Sequence, residues 1–439
     1  MQNEKHTCHK IFSSIVMKKF WILFLVLWGF NAAAQRVEFW SGVLQTGVMD
    51  LPITLEVRFA TDTVAFMGSP AQTEEVFEAD KVRLRNDSLL LSVSSMGAKV
   101  VFRGSFNEAG DSVCGIFSQG GAKLPLCLLK SEKNDVVKRP QTPAKTEDYI
   151  CEEVSFKVKN VDYVFKGTLS YPKNGNKFPG IVLISGSGLQ NRDEEMFQHK
   201  PFAVIADYMT KNGFAVLRFD DRGYGAENVK ELLDTATTLD FVNDVMAAVD
   251  LMASHPKVDK RKIGLVGHSE GGVIAPIVAC ERGDIVFVVM LAGTGVSGLD
   301  VLIEQNRAVL GAMGYGKEVI EENIEKLKNR DAASGLQTAW MRCFLDLNPE
   351  AYLSKLKVPV LALNGEKDLQ VSASQNLPAI ERALKKAGNK HFKVITLPDL
   401  NHLFQHCKTG LPNEYFYIEE TISPEVLTLM RDFIKEYVF

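Results

Sequence analysis

Several features that would point to a binding or redox function are missing from this chain of 439 residues. There is no C-x-x-C pair, so the sequence spells out neither a zinc ribbon nor a dithiol redox centre. No cluster of lysine and arginine rises above ordinary solvated faces, and the formal net charge is −4 with a pI of about 6.1. A nucleic-acid binder normally carries a basic stripe to neutralise phosphates, so a polyanion partner is not indicated. The leading apolar run, Phe20 to Phe30, is well short of the roughly 20 residues that span a bilayer. Internal repeats and low-complexity tracts are also absent from the sequence.

What is present begins with a targeting pattern. Lys18 and Lys19 precede the apolar run, and Asn31-Ala32-Ala33-Ala34 follows it. A positive n-region, an apolar h-region and small residues at the end read as a secretory signal cut between Ala34 and Gln35. An uncleaved anchor is the alternative. Met17 stands directly before the lysine pair, so residues 1–16 read as an upstream extension, and no cysteine follows the run to take a lipid anchor. The expected location is therefore exported, periplasmic or extracellular, in a bacterium. Cys8 apart, the cysteines are Cys114, Cys127, Cys151, Cys280, Cys343 and Cys407. Export permits disulfides, and Cys114 and Cys127 sit on neighbouring expected strands. Buried free thiols are the plainer expectation.

With 46% hydrophobic residues the chain can bury a large core, and its length suggests two domains. Residues 35–130 carry short strand-like runs, among them Ile53–Phe59, Leu89–Val93 and Ser112–Phe117, separated by turns such as Asn86-Asp87-Ser88. That rhythm predicts a small all-β antiparallel domain. Residues 131–148 are polar and broken by Pro140 and Pro143, as a linker would be. From 149 to 439 strands alternate with helices, and the Val/Ile-rich strands predict a mainly parallel sheet covered on both faces. Residues from about 296 to 357 show helical patterns only, at Val301–Leu310 and Lys317–Asn329, and read as a lid over the site or a peripheral packing insert.

The chemistry is carried by Gly267-His268-Ser269-Glu270-Gly271. A G-x-S-x-G pentapeptide alone is a weak signal. Here the apolar strand Ile263–Val266 runs into it and a helix starts directly after, which is the context a nucleophile elbow requires. The glycines supply room for strand and helix to approach while the serine is held in a strained turn. A serine hydroxyl needs a base to take its proton, and the order nucleophile, acid, histidine points to Asp368 and then His402. Each lies in a loop directly after an expected strand, Val358–Leu363 and Phe392–Leu397, at the same sheet edge as Ser269. Glu366 and His406 are the nearby rivals, while His199, His255 and His268 read as surface or structural residues.

Acyl transfer also needs donors for a developing oxyanion. One is expected from the backbone N–H of Glu270. The other should come from Gly186-Ser187-Gly188 after the strand Pro179–Ser185, with the Ser187 amide favoured and Gly188 the alternative. The spacing of that loop fits neither a dinucleotide fingerprint nor a P-loop. Asp220-Asp221-Arg222-Gly223 reads as a structural turn with an internal ion pair, or else a clamp for an anionic substrate.

Together, Ser185-Gly186-Ser187-Gly188 with Asn191-Arg192-Asp193-Glu194, Phe219-Asp220-Asp221-Arg222-Gly223, Gly267-His268-Ser269-Glu270-Gly271-Gly272, Gly365-Glu366-Lys367-Asp368 and Asn401-His402 resemble bacterial α/β-hydrolase esterases of the EstD-like type. These are related to dienelactone hydrolases and serine-aminopeptidase-like hydrolases. The resemblance covers about 149–439, and the β-rich N-terminal region is similar to the extra domain such proteins carry. One departure is Ser185-Gly186 where many hydrolases have His-Gly. The resemblance implies a metal-free, cofactor-free carboxylesterase acting on short-chain acyl esters through Ser269, Asp368 and His402. A peptidase or amidase using the same triad is the first alternative. An envelope glycan-binding protein with an inactive hydrolase body is the second. The expected partner is a small-molecule ester, with no nucleic acid and no stable membrane span after signal removal.

Overall fold

The computed structural model describes residues 36–46, 50–59, 62–73, 75–95, 98–132, 137–144, 147–330 and 337–439. The expected upstream extension and signal segment, 1–34, lies outside the described residues. So do 133–136 and 145–146 of the linker and 331–336 of the helical insert.

Nine strands form the first sheet: β1 (Arg36–Gln45), β2 (Asp50–Phe59), β3 (Val64–Gly68), β4 (Val76–Glu78), β5 (Lys81–Arg85), β6 (Ser88–Ser95), β7 (Ala98–Phe106), β8 (Ser112–Gln119) and β9 (Ala122–Ser131). Every pairing is antiparallel, in the order β4-β3-β2-β1-β9-β8-β7-β6-β5. The period of two in the sequence explains the core of this curled sheet. Leu89, Leu91 and Val93 of β6 join Trp40, Ile53, Phe102, Val113, Leu126 and Leu128 on the inner face. Cys114 and Cys127 stand directly opposite each other on β8 and β9 and form a disulfide. The expectation of free thiols is corrected for this pair, because a facing position on adjacent strands brings the side chains into bridging range. Cys151, Cys280, Cys343 and Cys407 are free.

The second sheet is mixed. Its strands are β10 (Tyr149–Lys157), β11 (Val164–Pro172), β12 (Phe178–Ile184), β13 (Ala215–Phe219), β14 (Val258–His268), β15 (Val288–Leu291), β16 (Val360–Gly365) and β17 (Phe392–Leu397), ordered β10-β11-β13-β12-β14-β15-β16-β17. The pairings β10–β11 and β11–β13 are antiparallel, and those from β13 through β17 are parallel. The helices are α1 (Pro201–Lys211), α2 (Val229–Leu233), α3 (Thr238–Ser254), α4 (Gly271–Arg282), α5 (Gly298–Ala312), α6 (Lys317–Lys328), α7 (Ala339–Asp346), α8 (Glu350–Leu353), α9 (Ala373–Lys386), α10 (Pro412–Tyr415) and α11 (Pro424–Val438). Among the described residues no helix is long and apolar enough to cross a membrane.

The central strands are apolar at consecutive positions because both of their faces are covered. Val182 and Ile184 pack with side chains of α3, α4 and α9, whereas Ile181 and Leu183 pack with α1 and α11. Each fully buried Val, Leu or Ile adds about 1.5–3 kcal/mol of apolar transfer. A capping box fixes the start of α3: the Asp240 N–H donates to the Thr237 hydroxyl, and the Thr237 N–H donates to the Asp240 carboxylate. Because β12 and β14 to β17 run parallel, the loops that follow them gather at one edge of the sheet.

The linker is anchored to the hydrolase body rather than lying free. The Arg139 guanidinium donates to the carbonyls of Phe416 (2.6 Å), Phe197 (2.9 Å) and Ile418 (2.9 Å). Gln141 donates to the Ile422 carbonyl and accepts from the N–H groups of Thr421 and Ile422.

Candidate active site

The elbow follows from steric necessity. Ser269 has φ of +51°, a left-handed conformation that a side chain makes costly. A Cβ at Gly267 would lie 2.0 Å from the Gly271 carbonyl oxygen, and one at Gly271 would lie 2.2 Å from that of Ile184. Neither position admits a side chain without moving backbone. The strained turn is secured from outside, since the Ser269 N–H donates to the Leu291 carbonyl at 2.8 Å.

The expected acid and base meet. His402 Nδ1 lies 2.7 Å from Asp368 Oδ2, and both residues are buried. Asp368 Oδ1 accepts from the N–H groups of Gln370 (2.8 Å) and Val371 (2.9 Å), so the carboxylate is held by three donors. With a carboxylate as its acceptor, Nδ1 carries the proton and Nε2 keeps its lone pair. The base loop is folded around the buried Asn401, whose Oδ1 accepts from the N–H groups of Leu403 and Gln405. Close packing of the two loops requires Gly365, where a Cβ would lie 2.2 Å from the Leu400 carbonyl oxygen.

Ser269 and His402 share the walls of one cavity of about 500 Å³ with Gly186, Ser187, Glu194, His268 and Tyr415. Its other walls include Val301, Leu302 and Val309 of α5 and Trp340, Met341 and Phe344 of α7. Among the described residues the backbone N–H groups of Glu270 and Ser187 have no hydrogen-bond partner, whereas that of Gly186 donates to Glu194 Oε1 at 2.6 Å. The two amides expected as oxyanion donors are thus uncommitted, and Gly186 is not.

The rivals lie elsewhere. Glu366 faces the Asp399 N–H, and His406 is an exposed residue bonded to Glu420 in a segment that is not helical. His255 reaches Glu152, and His199 is wholly buried between Thr421 and the Tyr415 carbonyl. The turn at 220–223 holds no internal ion pair. Asp220 pairs with Arg192, Arg222 pairs with Asp244 on α3, and Asp221 accepts from Ser185 Oγ and the Gln190 N–H. The charges of the turn are therefore paired across elements, with the loop after β12 and with α3.

Three participants escaped sequence reasoning. Glu194 and His268 are both buried, with His268 Nδ1 2.9 Å from Glu194 Oε1 and Nε2 3.0 Å from the His402 carbonyl oxygen. Burial alone would lower the His268 pKa, but the charge and hydrogen bond of Glu194 raise it above the ordinary value. The third is the side chain of Glu270, whose Oε1 accepts from Thr238 Oγ1 (2.6 Å) and from Trp340 Nε1 (2.8 Å). Burial raises its carboxyl pKa, and these donors oppose the rise. The only available signal was the histidine at the variable position of the elbow. Among the described residues no group of three or more His, Cys, Asp or Glu is arranged to hold a metal ion.

A doubly flanked sheet, with a serine elbow and a histidine–carboxylate pair at one edge, defines the class: the chain belongs to the α/β-hydrolase superfamily. Within it the chain is EstD-like. It is 29% identical over 274 residues to esterase EstD of Thermotoga maritima, an alignment covering 60% of this chain and 63% of that protein. Residues 238–407 match the family described as BAAT / Acyl-CoA thioester hydrolase C terminal. The acylamino-acid-releasing enzyme 2 of Oryza sativa subsp. japonica is 26% identical over 206 residues, covering 46% of this chain and 25% of that enzyme. The alignments therefore span under two thirds of the length of either relative. The crystal structure of dienelactone hydrolase from Anabaena variabilis aligns with a TM-score of 0.42 at 18% identity, covering 67% of this chain and all of that one.

Proposed function

We propose that the protein is an exported serine hydrolase that cleaves carboxylic esters of short acyl chains through an acyl-serine intermediate. The observation that carries this reading is the meeting of a left-handed Ser269 and an Asp368-bonded His402 on the walls of one cavity. His402 Nε2 takes the hydroxyl proton as Ser269 attacks the ester carbonyl. Asp368 stabilises the imidazolium that forms. The free amides of Glu270 and Ser187 receive the oxyanion, a donor of this kind being worth about 3–4 kcal/mol in other enzymes. His402 then gives the proton to the departing alcohol, and water, activated by the same base, hydrolyses the acyl-Ser269 ester.

The helical insert acts as a lid in this reading, supported by the α5 and α7 side chains that line the cavity. Export is supported by the signal-like sequence at 18–34 and by the Cys114–Cys127 disulfide, which suits an oxidising compartment. The test is a panel of p-nitrophenyl esters of rising chain length, run beside N-acylated peptides and S269A. Hydrolysis of the short esters, lost by at least about 10³-fold in S269A, is expected. Faster cleavage of peptides than of esters would make it a peptidase on the same triad, the reading favoured by its likeness to the acylamino-acid-releasing enzyme. An S269A variant as active as the parent would end the proposal.

A further inference from the structure

Glu194 and His268 lie outside the triad and the oxyanion donors, yet their side-chain bonds run to the segments that carry them. Glu194 sits in the loop after β12 with φ of +49°, a strained backbone position, and is 1% exposed. Its Oε1 accepts from the Gly186 N–H at 2.6 Å and faces His268 Nδ1 at 2.9 Å. His268 is the last residue of β14, directly before Ser269, and its Nε2 donates to the backbone carbonyl of His402 at 3.0 Å. Its ring centroid stands 4.8 Å from that of His402. Gly186 in turn packs on the elbow so closely that a Cβ there would lie 3.1 Å from Ser269 Cβ.

We propose that Glu194 and His268 are positioning residues, a buried hydrogen-bonded pair that fixes the loop bearing Ser187, the strand bearing Ser269 and the loop bearing His402 in one register. The proposal rests on the triad reading above and deepens it. Three segments far apart in the chain must agree to a fraction of an ångström for proton transfer and attack to coincide. Backbone pairing alone does not secure this, because the loops after β12 and β17 lie beyond the ends of their strands. The pair supplies the missing link. A carboxylate and a carbonyl are both acceptors, so the imidazole between them donates from both nitrogens as a cation, and the carboxylate balances its charge. Because the bonded oxygen of Glu194 also takes the Gly186 N–H, the same two side chains set where the next amide, that of Ser187, points.

The experiment measures the second-order rate of Ser269 phosphonylation by a fluorophosphonate, with kcat and KM on a short p-nitrophenyl ester, in E194Q, H268Q, the double variant E194Q/H268Q and S269A. Melting temperature is read on each. The single variants leave one buried partner unmatched and are expected to melt lower. In the double variant two amides can bond each other, so stability returns toward the parent. The expected result is that the double variant, folded and near the parental melting temperature, still loses about 100-fold in phosphonylation rate and kcat, with KM changed less than about threefold. A purely structural role predicts that rate and stability recover together. A folded double variant labelled within about twofold of the parental rate overturns the proposal. If S269A hydrolyses as fast as the parent, the triad reading fails and this placement of Ser269 fails with it. Loss in S269A beside an unimpaired double variant rejects the positioning pair alone.

Discussion

His199 is completely buried, and its surroundings decide its charge. Its Nε2 lies 3.0 Å from the Tyr415 carbonyl and 2.9 Å from the Gln405 side-chain amide, and its Nδ1 3.0 Å from Thr421 Oγ1. Burial, with the nearby Arg139 charge adding to it, pulls its pKa down to about 4 against the Tyr415 hydrogen bond. A neutral imidazole bridges a carbonyl and a hydroxyl, as donor to one and acceptor from the other; an imidazolium cannot accept. The unfolded chain binds a proton at this histidine below about pH 6.5, and the folded protein resists doing so until about pH 4. The stabilisation is therefore complete above pH 6.5 and lost as pH falls toward 4, by about 3 kcal/mol over that interval. Urea unfolding at pH 7, 5.5 and 4 checks this. The parent should lose more stability over the interval than H199Q, whose amide keeps a donor and an acceptor without titrating. Equal losses in the two proteins would show that His199 does not stay neutral. At this scale the sequence was uneven. It singled out Ser269, Asp368 and His402 as candidates because chain order and strand ends constrain them. It hid Glu194, because nothing in Asn191-Arg192-Asp193-Glu194 marks which carboxylate turns inward.

At the scale of elements, the polar tie that joins α7 to the elbow among the described residues is the Trp340 indole N–H donating to the buried Glu270 carboxylate. The rest of the helix offers apolar packing, with Phe344 and Leu345 buried and Trp340 stacked on Phe344 at 5.6 Å. Removing a donor from a buried carboxylate costs about 1–3 kcal/mol. W340F should therefore loosen α7 while leaving the ring packing in place. The expected readout is amide hydrogen exchange accelerated about tenfold or more in 339–346 and unchanged in α4, where Glu270 stays bonded to Thr238. Uniform acceleration across both helices would mean that the tie stabilises the whole fold instead of the insert. The major strands and the helices α1, α3, α4, α5, α6 and α11 were legible from periodicity. The helix α9 was not, since Pro378 stands within it and reads as a breaker. It survives there because its apolar stripe, Leu377, Ile380, Ala383 and Leu384, is buried against the sheet. The short helices α2, α8 and α10 span too few residues to show a period.

For the whole molecule, the question is whether the curled sheet and the hydrolase body are independent. Composition marked 131–148 as a linker with no apolar face, and gave no sign of the polar contacts that Arg139 and Gln141 make. Arg139 gives three hydrogen bonds at once to the loops beside the cavity, at Phe197, Phe416 and Ile418. Phe197 itself lines the cavity, as does Tyr415, one residue before Phe416. Burial pulls the pKa of Arg139 down to about 10, still far above neutrality, so the guanidinium remains a full donor at physiological pH. A charged group bonded in this way contributes about 1.5–3 kcal/mol per bond before desolvation is subtracted. R139M keeps the aliphatic stem and removes the donors. The two loops should then lose their common anchor, raising KM for esters about three- to tenfold while the phosphonylation rate of Ser269 stays near the parental value, because no bond of Arg139 reaches the elbow. A fall in labelling rate equal to the rise in KM would show instead that the linker and the catalytic edge move as one body, and that the sheet preceding it has a direct part in holding the site together.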